Sequence, residues 1–233
     1  MKAAARELWR RAGRSLVEII VFAAAFAAIE RGFAAIPLPG DQRFQFAGAL
    51  VAKLPVVLLV WGLLWLRGES LEVIGLRPPR SWPRTLLLGS GVAVGLFVAV
   101  YLLERAGFRR DLRAFDFLKG NLELTLYQVG YVFTGAGFYE EFVYRGFIFN
   151  RLARVLGDGR AGWGVACVLQ AIWFGNGHAY QGPAGVALTA AIGLLFGVLF
   201  LLCRRNLWPG VIAHGVYDAA RSVLFYFNGP PSL

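Results

Sequence analysis

The sequence predicts an all-α, polytopic integral membrane bundle of about seven spanning helices, within a range of six to eight. Two observations carry this. Hydrophobic residues make up 58% of the chain against 16% charged, with a mean hydropathy of +0.57, which leaves too little polar surface for a soluble globule. Apolar runs of about 20 residues also recur along the chain, each long enough to cross a hydrocarbon core. We read residues 1–233 as a single membrane domain with no room for a separate soluble one.

The spans are expected near residues 15–36, 46–66, 85–104, 123–151, 161–180, 184–203 and 207–227. The first follows the basic string Lys2, Arg6, Arg10, Arg11 and Arg14, as a secretory signal would, but Glu18 interrupts it and no cleavage site closes it. An uncleaved anchor is expected. Arg77-Pro78-Pro79-Arg80 marks the loop between the second and third spans. Gly91-xxx-Gly95 in the third span and Gly193-xxx-Gly197 in the sixth fit close helix packing in lipid.

The net charge of +10 and the pI near 10.2 follow membrane topology rather than nucleic-acid binding, because the basic residues lie between apolar runs and not on one face. With seven spans, the N-terminal string, Arg67 to Arg84, Arg151 to Arg160 and Arg204-Arg205 fall on one side. The positive-inside rule then puts the N-terminus in the cytoplasm and the C-terminus outside. Residues 105–122 disagree, carrying Arg105, Arg109, Arg110, Arg113 and Lys119. Phe108, Leu112, Phe115 and Leu118 recur there at helical spacing, so an interfacial amphipathic helix is expected, its apolar stripe on a membrane surface or against the bundle. Cys167 and Cys203 have no CxxC or His-rich neighbour and read as inert buried thiols.

Three strings break the apolar pattern: Glu140-Glu141-Phe-Val-Tyr-Arg145, Phe174-Gly-Asn-Gly-His178 and His214-Gly-Val-Tyr-Asp218. Ionisable groups at membrane depth cost roughly 2.5–3.5 kcal/mol each on insertion scales, and both histidines of the chain lie here. Successive helix residues diverge by about 100°, so Glu140 and Glu141 are expected to address different targets. Glu141 and Arg145, at i and i+4, suit a buried ion pair. Glu140, with no local partner, is the candidate general base. Pairing of both glutamates with arginines between helices is the competing structural reading.

His178 follows a Gly-Asn-Gly break that loosens the helix, and Phe174 one turn earlier would form an apolar wall. His214 and Asp218 share a helix face as a hydrogen-bonded strut, half of a metal site, or donors to an oxyanion. A base, an orienting group and an electrophile on three spans are what hydrolysis needs.

In this order, Glu-Glu-x-x-x-Arg, Phe-x-x-x-His and His-x-x-x-Asp resemble the CAAX prenyl protease and bacteriocin-processing family of intramembrane proteases, over about residues 120–228. The resemblance implies a multi-helix membrane endopeptidase in which Glu140 and His178 activate water and His214 and Asp218 stabilise the oxyanion. Glu141 and Arg145 would hold the site together. The family more often carries Asn where this chain has Asp218, and an ionised carboxylate would repel the developing charge, so Asp218 must donate while protonated, orient His214, or both. The expected partners are a membrane-associated or lipidated protein or peptide substrate and the bilayer, with no nucleic acid. A bacterial inner membrane is the expected location.

No cofactor is required on this reading, although Glu140, His178 and His214 would also suit Zn²⁺ with one position open to water. The HExxH spacing is absent. A non-catalytic peptide-binding immunity or regulatory protein, and a proton-coupled transporter using the buried charges as a relay, are the alternatives from other classes. With the spans as drawn, His214 lies about 10 Å from the cytoplasmic end and His178 about 25 Å. The two must meet through a deeper fifth span, or through tilting and kinking at Gly175 and Gly177.

Overall fold

The computed structural model describes residues 2–231, with side chains from residue 9, so Lys2 and Arg6 of the basic string have side chains outside the described set. Long apolar runs become helices α1 (Lys2–Ala34), α2 (Gln42–Leu66), α3 (Trp82–Arg105), α4 (Leu122–Tyr131), α5 (Phe149–Val155), α6 (Arg160–Asn176), α7 (Gly182–Leu202) and α8 (Trp208–Asn228). No strand occurs among the described residues. Proline in the first turn of α3, α7 and α8 sits where a missing N–H costs nothing. Asp41 and Asn121 cap α2 and α4 by accepting from the backbone N–H of Arg43 and Leu124.

Four helical segments are long and apolar enough to cross a membrane: Trp9–Ala34, Gln42–Leu66, Trp82–Arg105 and Ala179–Leu202. Their outward faces carry Leu58, Trp61, Leu87 and Leu102 among many exposed apolar side chains, as a lipid-facing surface requires. The remaining long segments carry the polar strings and lie further inside.

α4 and α5 are the ends of one continuous rod over residues 122–155, joined by π-helical turns at Val132–Phe138 and Glu141–Ile148. Every residue from Glu141 to Ile148 is buried. A π turn carries an extra residue per turn and recurs at functional sites, because it re-aims the side chains that follow.

Contacts across the loops define the two ends of the bundle. At one end Glu69 pairs with Arg151 and Arg154, the Arg77 guanidinium donates to the Arg204 carbonyl, and the Asn206 amide donates to the Arg77 carbonyl. At the other, the Asp111 N–H donates to the Gln181 carbonyl and the Gly120 N–H to the Tyr226 carbonyl. The first, arginine-rich end gathers the basic groups expected on one side of the membrane; the second holds residues 106–121.

That second segment departs from expectation. It forms an irregular strap with one 3₁₀ turn, Arg113–Leu118, in place of an amphipathic α-helix. Leu112 and Leu118 are buried with Phe225 of α8, and Phe108 packs against the α3–α8 core, so the apolar stripe is spent inside the bundle.

The glycine pairs also divide. A Cβ on Gly197 would come within 2.6 Å of Cys167 Sγ and 2.8 Å of Gln170 Nε2, and one on Gly193 within 3.1 Å of the Phe174 ring, so α6 and α7 approach only because these positions are bare. Gly91 and Gly95 face open space instead; Gly89 makes the close α3–α8 contact, where a Cβ would meet Ile212 at 2.7 Å. Gly197→Val should therefore destabilise the bundle by about 1–3 kcal/mol through overpacking, whereas Gly91→Val should leave the melting temperature nearly unchanged. Thermal melts of the two variants in one detergent compare them directly.

Candidate active site

Glu141 begins the second π turn with its carboxylate turned into the bundle. Its Oε1 lies 3.0 Å from Arg145 Nη1, with the two side chains 1% and 0% exposed. The expected i, i+4 pair is therefore present. Arg145 also stacks over the Phe174 ring at 4.2 Å and reaches the Gly193 carbonyl at 3.4 Å, so its charge is enclosed by an aromatic face and a backbone oxygen.

The α8 backbone crosses this π region closely. A Cβ on Gly137 would lie 3.1 Å from both the Gly215 nitrogen and the Val211 carbonyl, and one on Gly210 only 2.9 Å from Glu141 Oε2. Small residues at this crossing let His214 stand beside the glutamates. Its Nδ1 is 3.0 Å from Glu141 Oε1, its Nε2 3.4 Å from Asp218 Oδ2, and the same Nε2 3.8 Å from Glu140 Oε2. An ionised carboxylate only accepts, so Nδ1 donates to Glu141 and Nε2 is the nitrogen presented to Asp218 and Glu140.

Glu140 and Glu141 were expected to address different targets, yet both reach the one imidazole, from opposite ring nitrogens. They still differ in setting: Glu141 is walled in by Arg145 and Gly210, while Glu140 is 20% exposed and lines the cavity, its Oε2 making no hydrogen bond.

That cavity, about 470 Å³ in volume, is bordered by Glu140, Phe174, His178, His214 and Asp218. α6 ends at Asn176, so His178 sits beyond the helix, just ahead of a short 3₁₀ turn. Its Nδ1 is 2.9 Å from the Phe174 carbonyl, a contact only a protonated Nδ1 satisfies, which leaves Nε2 without this backbone contact. The Phe174 ring bridges the two histidines, 4.7 Å from His178 and 6.1 Å from His214 between centroids. The two histidines thus border one cavity despite their different positions, one past the end of α6 and one within α8.

Among the described residues, no group of three or more His, Cys, Asp or Glu side chains is placed to hold a metal ion.

A second charged cluster escaped the sequence reading. Arg221 holds Glu104 through two bonds of 2.7 and 2.8 Å, and Arg110 adds a third at 2.9 Å while donating to the Gln181 side chain at 3.2 Å. Arg110 and Arg221 line the same cavity, so carboxylates crowd one part of its wall and guanidiniums another. Arg221 is seven residues beyond His214, two turns along the same helix face, and that spacing was the available signal.

Gly210→Ala tests the crossing. The added methyl should push the Glu141 carboxylate off His214 and slow any chemistry done here by up to about 10²-fold. The melting temperature should fall little, so turnover and melting measured together separate the two effects.

An all-helical bundle with lipid-facing apolar helices defines an integral membrane protein, here one with an internal cavity lined by carboxylates and imidazoles. Residues 122–220, somewhat less than half of the chain, match the family model described as type II CAAX prenyl endopeptidase Rce1-like. The matched segment contains Glu140, Glu141, Arg145, Phe174, His178, His214 and Asp218. No curated protein and no solved structure matches the chain.

Proposed function

We propose that this chain is an intramembrane endopeptidase that hydrolyses a peptide bond in a membrane-associated protein, with Glu140 as general base. The observation that carries the reading is the meeting of all three strings at one cavity, where the unbonded oxygen of Glu140 lies 3.8 Å from His214 Nε2. A water between these groups would be within hydrogen-bond reach of both.

Glu140, with His178 across the cavity, takes a proton as the water oxygen attacks the scissile carbonyl carbon. His214 Nε2–H faces the oxygen that becomes negative, while Nδ1–H is held by Glu141 and Arg145 fixes Glu141. Collapse of the tetrahedral intermediate passes the proton to the leaving amine. Asp218, at 3.4 Å from Nε2, orients the ring rather than receiving the oxyanion itself.

Catalysis on this reading is metal-independent. The arginine-rich end faces the cytoplasm of a bacterial inner membrane, and seven helical segments cross it. Its substrate is a leader or membrane-proximal segment in preference to a prenylated C-terminus.

The test compares protein termini, by mass spectrometry, in membranes of cells expressing the native chain or Glu140→Gln at matched abundance. New termini seen only with the native chain support proteolysis and name the substrate. Identical termini in the two, with a cellular phenotype that His178→Ala still abolishes, would favour a peptide binder or a proton relay instead.

A further inference from the structure

At the arginine-rich end, some 20 Å along the α4–α5 rod from Glu140 at 1.5 Å per residue, a second cavity of about 400 Å³ opens between α1, α2 and α5. Arg11, Arg14, Arg67 and Arg154 line it with Glu69, Asp158 and Leu66. None of these belongs to the catalytic apparatus.

The carboxylates here are committed inward. Arg151, fully buried, lies 2.5 Å from Glu18 and 2.8 Å from Glu69; Arg67 Nε reaches the other Glu18 oxygen at 3.2 Å, and Arg154 bonds Glu69. Burial alone would push the Glu69 carboxyl up, but the hydrogen bond from Arg154 and the charges of Arg151 and Arg154 outweigh it and hold Glu69 below its ordinary range. Asp158 accepts the Trp163 indole N–H at 2.8 Å. Among the described residues, Arg11, Arg14, Arg67, Arg151 and Arg154 stand against Glu18, Glu69 and Asp158, five guanidiniums to three carboxylates.

The rim differs in kind. α2 ends at Leu66, and Trp65 and Leu66 are 69% and 74% exposed, while Trp9 on α1 is 78% exposed. Tryptophan flanking the ends of apolar spans marks the depth of lipid headgroups. The cavity therefore offers guanidinium forks to a phosphate and an apolar shoulder, Leu66, to the chain attached to it.

We infer that this cavity binds the headgroup of an anionic membrane phospholipid, tying α1 and α2 to α5. The site is independent of the proposed proteolysis and stands or falls separately from it.

The full chain, purified in zwitterionic detergent micelles, is titrated with phosphatidylglycerol, phosphatidylcholine or inorganic phosphate, reading bound lipid by native mass spectrometry and melting temperature in parallel. Phosphatidylglycerol should bind saturably and raise the melting temperature, and the other two should not. Arg11→Gln/Arg14→Gln, altering two exposed rim residues, should weaken phosphatidylglycerol binding about 30-fold. Arg80→Gln/Arg84→Gln removes the same charge outside the cavity and should change it by less than about 3-fold. Equal binding of the two lipids, an equal shift from inorganic phosphate at matched concentration, or equal losses in both double variants would each overturn the assignment.

Discussion

Arg145→Met should cost the bundle about 3–5 kcal/mol, the largest loss of stability expected from any single change in the polar interior. Both members of the Glu141–Arg145 pair are buried, so removing the guanidinium strands a carboxylate with only the His214 N–H beside it. The loss extends beyond charge, because Arg145 also fills the space over the Phe174 ring and bonds the Gly193 carbonyl on α7. Methionine restores some volume but neither contact. Arg145→Lys tests the geometry: a lysine keeps the charge without the planar fork, and should recover part of the stability only. Chemical denaturation in mild detergent reads both variants, and an Arg145→Met chain as stable as the native one would mean the pair contributes nothing net.

Glu140→Gln should give the opposite profile, with near-native stability and a loss of about 10²–10⁴-fold in cleavage rate. Glu140 is the site carboxylate with an unbonded buried oxygen, it is part-exposed to the cavity, and the amide is nearly isosteric. Glutamine cannot take a proton from water. Glu141→Gln should differ, losing stability and activity together, because it removes half of the buried pair and the anchor of His214 Nδ1. The contrast between these adjacent residues tests whether one carboxylate works on water while its neighbour holds the site.

Much of this organisation is legible in the sequence. Long apolar runs give the helices because a bilayer core demands that length, and the polar strings stand out because charge inside such runs is costly. The i, i+4 pairing of Glu141 with Arg145 and of His214 with Asp218 follows from helix geometry. What escaped has physical causes too. A π turn adds one residue per turn without changing composition, so the aim of Glu140 toward the same ring as Glu141 was hidden by assuming 100° steps throughout. The strap at residues 106–121 has helical spacing of its apolar residues, but Leu112, Phe115 and Leu118 are drawn onto α8, and Gly107 and Gly120 at positive φ break it at both ends. Gly91 and Gly95 have the packing motif without a neighbour to pack on, since spacing within one helix says nothing of which helix lies opposite.

The most direct test of the central claim uses the substrate named by the comparison of termini, reconstituted with the purified chain in proteoliposomes. Cleavage rate is measured for the native chain and Glu140→Gln, each with its melting temperature, with and without a chelator. The account predicts cleavage by the native chain that persists in chelator, and a loss of at least about 10²-fold in Glu140→Gln at unchanged melting temperature. Cleavage by Glu140→Gln at the native rate would contradict it.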